Sequence, residues 1–245
     1  MPETLTTDRL TLRTFRDDDG DAVRFERVTT TTLEVEAVTR TLAWTGSQRL
    51  VNATPFDVEY RQGPTASVVI TGRKPDPLAE AAQQIAREVP GAAVVACAGN
   101  TGHEDHRAEA VAQTVTLGGG IDILINNTGI NPLFGPLMDA DLNGFRKLLD
   151  TNVVAGLGFI QAAFHAGMRE SGGAVVNIAS VAGLRSTGVI AAYGASKAAM
   201  IRLTAELAWE LGPAGIRVNA IAPAIVKTQF AKDLIAGENE ARALK

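Results

Sequence analysis

Ala174-Val175-Val176-Asn177-Ile178-Ala179-Ser180 is a short apolar run that stops at a serine, and Tyr193-Gly194-Ala195-Ser196-Lys197-Ala198-Ala199 opens a stretch of helical pattern. The first part, Ala174 to Ile178, reads as a strand buried on both faces. The second reads as a helix from Tyr193 to Leu211, ended by Gly212-Pro213. Working outward, the same alternation recurs. Ser67 to Ile70, Ala93 to Ala96, Ile121 to Ile125 and Arg217 to Ile221 have strand character. Leu78 to Glu88, Ala108 to Val115 and Leu142 to Met168 have helix character, the last weakened by Gly156, Gly158 and Gly167. Short unpatterned strands alternating with helices predict an α/β fold with a parallel sheet covered on both faces. Function in such a sheet gathers at the carboxyl ends of the strands. Asn126 and Ser180 each follow a predicted strand, so both fall on that edge.

Tyr193 and Lys197 are an i, i+4 pair, one above the other on a helix face. An ammonium beside a phenol favours the phenolate and lowers the tyrosine pKa from about 10. A tyrosine tuned in this way exchanges a proton with a substrate oxygen near neutral pH. A serine hydroxyl nearby, such as Ser180, can donate a hydrogen bond to that same oxygen. Taken alone, the pair reads as two residues that happen to be helix neighbours; the serine and the motifs below reverse that.

Those motifs are Asn126-Asn127-Thr128-Gly129, Asn152 within Asp150-Thr151-Asn152-Val153, and Asn219-Ala220-Ile221-Ala222-Pro223. With Ser180, Tyr193 and Lys197, they make residues from about 66 to 235 resemble the short-chain dehydrogenase/reductase family, particularly its 3-oxoacyl-carrier-protein reductase-like members. The resemblance implies a Rossmann-type doubly wound sheet and hydride exchange with a nicotinamide cofactor. It assigns Tyr193 as general acid/base, Lys197 as the residue that tunes it and holds the nicotinamide ribose, and Ser180 as the residue that orients the substrate carbonyl. Asn152 would support a proton-relay water; on residue type alone it reads as a solvent-facing polar position. Asn126, Thr128 and Gly129 would tie strands together and flank the adenosine side, with threonine in place of the family's alanine. Pro223, Val226 and Thr228 would grip the carboxamide, with Ala224 replacing the usual glycine. A homodimer or homotetramer acting on a small carbonyl or alcohol is implied. The segments Asn131 to Met138 and Leu184 to Ile190 would shape the substrate pocket.

Cofactor choice is read from Thr71-Gly72-Arg73. An acidic residue after this strand would bind the 2′-hydroxyl of NAD(H), whereas Arg73 suits the 2′-phosphate of NADP(H). NADP(H) is therefore favoured and NAD(H) remains open. After the third family strand, Asn100 stands where an aspartate is usual.

The sequence departs from the pattern at both ends. Residues 1–65 contain no lysine and lack regular alternation, so they are read as an atypical segment, or a degenerate first βα unit, before a Rossmann-type domain over 66–245. The best match to the family's glycine-rich phosphate loop begins at Thr45-Gly46. It places Leu50 and Asn52 where the second and third glycines belong. The chain stops at Lys245, short of the family's usual end, which implies a truncated C-terminus. A catalytically inactive relative that no longer binds cofactor is the alternative reading.

Composition narrows the classes. The chain has 245 residues, 46% of them hydrophobic, and a net charge of −4, which argues against a nucleic-acid surface. Cys97 is the single cysteine, so no internal disulfide is expected, and it reads as buried filler. The start, Met1-Pro2-Glu3-Thr4, has no signal-peptide pattern, and no apolar run is long enough to span a bilayer. A cytoplasmic protein with no membrane partner is expected. His103-Glu104-Asp105-His106 carries metal-like residue types but no supporting third cluster, so a loop or helix start is expected and no metal. Gly118-Gly119-Gly120 precedes a strand and reads as a connection.

Overall fold

The computed structural model describes residues 66–224 in full and, before them, the backbone of five short strands. Two pairs stand apart: β1 (Phe15–Arg16) runs antiparallel to β2 (Val23–Arg24), and β3 (Arg40–Trp44) runs parallel to β5 (Val58–Gln62). The fifth, β4 (Arg49–Asn52), belongs to the main sheet. The other strands of that sheet are β6 (Ser67–Gly72), β7 (Ala93–Ala98), β8 (Ile123–Asn126), β9 (Gly173–Ile178) and β10 (Ile216–Ile221).

All pairings in this sheet are parallel, in the order β10-β9-β8-β4-β6-β7. Counted along the chain, its strands lie third, second, first, fourth, fifth, sixth. That is the Rossmann arrangement, with the topological switch between β4 and β8. The expected doubly wound α/β fold is therefore present.

The central position of β4 corrects one expectation. Leu50 and Asn52 are not loop residues standing where glycines belong. They pair with Val68 and Ile70 of β6 on one side and with Ile123 and Ile125 of β8 on the other. The connection after the first strand of the sheet thus begins at residue 53, outside the described residues. Thr45 and Gly46, Val226 and Thr228 also lie outside them.

Alternation along each strand sorts the core into two faces. Val69, Leu124 and Val175 join Val111, Phe159, Met168, Leu207 and Ile216 on one face. Val68, Ile70, Ile125 and Val176 pack with Leu78 and Ala82 on the other. Leu78 and Ala82 come from α1 (Pro75–Glu88), which begins with a proline in its first turn. The first face is covered by α2 (Glu104–Gly118), α4 (Ala155–Ala163) and α6 (Ala191–Leu211).

The long helix predicted over 142–168 is present but interrupted. α3 (Leu142–Leu149), capped by the Asp141 carboxylate on the Asn143 and Gly144 amides, passes into a π turn at Asp150–Val154 and then α4. A second π turn, Phe164–Met168, contains Gly167 at φ 118° and leads into α5 (Arg169–Ser171). Gly156 and Gly158 sit inside continuous helix; only Gly167 breaks it. No helix among the described residues is long and apolar enough to cross a membrane.

Candidate active site

β8 and β9 end side by side, and their last residues build the floor of the site. Asn126 closes β8. Its Nδ2 donates to the Gly156 carbonyl at 3.1 Å and to Asn177 Oδ1 at 3.0 Å, tying β8 to α4 and β9. Asn177 in turn donates to Thr204 Oγ1 on α6 at 2.9 Å. The strand-tying expected of Asn126 is thus direct. Thr128 and Gly129 follow at once, and Thr128 lines a small cleft with Asn126, Asn152, Lys197 and Met200.

Asn152 lies in the π turn and is 2% exposed. Its Oδ1 accepts from the Ile130 amide at 2.8 Å, and its Nδ2 donates to the Ile130 carbonyl at 3.0 Å and to Ser196 Oγ at 3.0 Å. This overturns the solvent-facing reading of its residue type. The bulge turns an amide inward, where it clamps the segment after β8 to α6. Wide turns of this kind often mark functional positions.

Ser180 follows β9 and caps the short turn Val181–Gly183, its Oγ accepting from the Ala182 amide at 3.1 Å. Its hydroxyl also hydrogen-bonds the Tyr193 phenol. Lys197 sits one turn further along α6, with Nζ 5.6 Å from the Tyr193 ring centroid. The three residues read together from sequence are therefore together in space.

Their electrostatics differ from expectation in one respect. Burial is the largest influence on Tyr193 and raises its pKa above the usual 10, with the Ser180 hydrogen bond pulling the other way. The lysine does not lower it, because the ammonium is directed elsewhere: Nζ donates to the Ile178 carbonyl at 2.7 Å. Lys197 itself is 3% exposed. Burial lowers its pKa from 10.5 to about 8.

A native pKa below the unfolded one means that the folded chain binds fewer protons between the two values. Lys197 therefore weakens the fold fully below about pH 8, and this cost is relieved as pH rises towards 10.5. Compared with Lys197→Met, the wild type should gain on the order of 2–3 kcal/mol across that window. Paired denaturant titrations at the two ends of the window check this; parallel pH profiles for the two proteins would exclude it.

Three contributors were not legible in the sequence reading. The Ile178 carbonyl anchors Lys197 but leaves no residue-type signal. Ser196 links Asn152 to the Tyr193 carbonyl, to which it donates at 2.7 Å. Gly183 and Gly194 form the closest approach of the serine turn to α6. A Cβ on Gly194 would lie 2.6 Å from the Ala182 oxygen, and one on Gly183 2.7 Å from the Ala198 nitrogen. Two glycines, one in each of the facing elements, were the available signal.

The remaining expected residues are spread along the same sheet edge. Arg73 is exposed immediately after β6. Asn100 is exposed after β7, its Oδ1 accepting from the Gly102 amide at 3.0 Å. The Pro223 carbonyl accepts from the Val181 amide at 3.0 Å, which places it against the serine turn. The Gly135 amide donates to the Val189 carbonyl at 2.9 Å, joining the two segments expected to shape the substrate. Phe134, Leu137, Met138, Leu184 and Val189 are exposed there.

A family model described as short chain dehydrogenase matches residues 61–239. The chain belongs to this family. A rabbit (Oryctolagus cuniculus) relative, dehydrogenase/reductase SDR family member 4, is 38% identical over 169 residues, 69% of this chain and 64% of the relative. The chain thus spans somewhat less than two thirds of that curated relative. Among solved structures, a short-chain type dehydrogenase/reductase from Mycobacterium ulcerans superposes with a TM-score of 0.71 at 25% identity, covering 80% of this chain and 75% of the other. A 7α-hydroxysteroid dehydrogenase complexed with NADH and 7-oxo glycochenodeoxycholic acid gives a TM-score of 0.67 at 29% identity, covering 72% and 68%. In this member of the family, the Ser180–Tyr193–Lys197 group lies at the carboxyl edge of the sheet, where the fold binds ligands.

Proposed function

We propose that the protein is an NADP(H)-dependent oxidoreductase that interconverts a carbonyl and a secondary alcohol. The observation that carries this reading is the Ser180–Tyr193 hydrogen bond beside a buried Lys197. A nicotinamide, when bound, supplies or takes up the hydride. The described residues fit its nearer half: Gly129 keeps the lysine's flank open, since a Cβ there would lie 3.4 Å from Nζ.

Each residue's part follows from its surroundings. Ser180 Oγ already accepts from the Ala182 amide, so its own proton is free to turn from Tyr193 to a substrate oxygen. Burial keeps the Tyr193 phenol protonated at neutral pH, which suits it to give a proton to that oxygen during reduction. Lys197, one turn along α6 and anchored by the Ile178 carbonyl, is the cation suited to hold the nicotinamide ribose. Asn152 is a positioning residue, fixing Ile130 against α6. The exposed apolar side chains of the two joined segments suit a substrate with a hydrophobic body.

Arg73 supports the choice of NADP(H), as an exposed guanidinium directly after β6. Fluorescence titration with NADPH and NADH tests the reading. Arg73→Ala should weaken NADPH binding about 10–100-fold, the worth of a charge-assisted contact, and leave NADH unchanged. Equal losses for both cofactors would remove the phosphate role. Failure of both to bind the wild type at millimolar concentration would favour an inactive relative.

A further inference from the structure

Cys97, His106 and Glu109 lie away from the Ser180–Tyr193–Lys197 group, at the junction of β7 and α2. The imidazole Nδ1 is 3.9 Å from the Cys97 sulfur. One ligating atom from each of the three residues falls within 4.8 Å of the others. Cys97 is 2% exposed and His106 6%, whereas Glu109 is exposed. His106 Nε2 is buried with no hydrogen-bond partner among the described residues. The ring is held edge-on to Phe159, with centroids 6.5 Å apart.

We propose that Cys97, His106 and Glu109 form a binding site for a divalent cation of the zinc class. Sulfur, imidazole nitrogen and carboxylate oxygen together match a borderline-soft cation and disfavour magnesium or calcium, which take oxygen ligands. A tetrahedral zinc site with bonds of about 2.0–2.3 Å needs its ligand atoms somewhat closer than they stand. The exposed Glu109 carboxylate, which accepts from Gln113 Nε2 at 3.0 Å, supplies that closure by exchanging this surface hydrogen bond for the cation, and it gives the cation a path in from solvent. Burial keeps His106 neutral at neutral pH, leaving a ring nitrogen able to ligate. Burial also pushes the Cys97 thiol up to about 11, so the cation must displace its proton. The thiol then becomes a metal-bound thiolate, and one proton passes to solvent. The bound cation would join β7 to α2 across the turn that carries Asn100.

The test is titration of the full chain with Co2+, which reports its ligands by absorption. Cys97 is the only cysteine in the sequence, so a thiolate-to-cobalt charge-transfer band can arise from this site alone. A single saturating band, abolished in Cys97→Ser and displaced by Zn2+, is the expected result. Glu109→Gln changes an exposed side chain and leaves the fold intact; it should weaken Co2+ binding by at least about tenfold. Absence of a thiolate band in the wild type, or an unchanged affinity in Glu109→Gln, would overturn the site. The readout needs no substrate or nicotinamide, so it stands or falls separately from the proposed oxidoreductase activity.

Discussion

Tyr193→Phe should reduce turnover by about 10²–10⁴-fold while the protein remains folded and retains NADPH binding. The substitution removes one hydroxyl from a half-buried ring and leaves the ring's packing in place. Its stability cost is the lost Ser180 hydrogen bond, about 1 kcal/mol, partly offset because the phenol no longer needs to be desolvated. Steady-state kinetics, with a thermal melt and a cofactor titration on the same sample, separate chemistry from folding. The wild type carries a related signature. Because burial raises the Tyr193 pKa above 10, the proton donor should stay loaded throughout the neutral range. Near-normal turnover in the phenylalanine variant would mean that another group delivers the proton.

Gly194→Ala should act on the same chemistry from a residue that bears no functional group. The added methyl would lie 2.6 Å from the Ala182 carbonyl oxygen, a backbone atom that cannot rotate aside. Either the serine turn or α6 must move. Overpacking of this kind costs about 1–3 kcal/mol, and a displacement near 1 Å at a catalytic group costs about 10²-fold in rate. The expected result is a lowered melting temperature together with a loss of kcat larger than any change in KM. A lowered melting temperature with unchanged kcat would show that Ser180 and Tyr193 keep their contact by other means.

How much of this was readable in advance depends on where each signal resides. Ser180, Tyr193 and Lys197 announce themselves because one strand end and one helix face fix their separation. Asn152 does not, since its inward orientation comes from a π turn that shifts the helix face by one residue. The tyrosine's acidity was misjudged because i, i+4 spacing reports proximity but not direction. The lysine points to a strand-end carbonyl, and burial then decides the sign. The neighbours of His106, Cys97 and Glu109, come from a strand and from the next turn of the helix. Proximity of that kind appears only when the sheet and helix are packed. The first strand of the sheet was missed for a plainer reason. Four residues, Arg49–Asn52, carry too short a pattern to stand out, and it is pairing on both sides that identifies them.

The close approach at Gly183 and Gly194 has a consequence for how specificity can change. The loop between these glycines, Leu184 to Ile190, leaves from one fixed point and returns to another. Both anchor points are set by backbone contact, whatever the loop's own side chains. Its residues can therefore be exchanged, lengthened or made more polar without moving the serine relative to the tyrosine. Under the function proposed above, substrate preference and chemical competence become separable, and the loop is the place to graft a new preference without moving Ser180 relative to Tyr193.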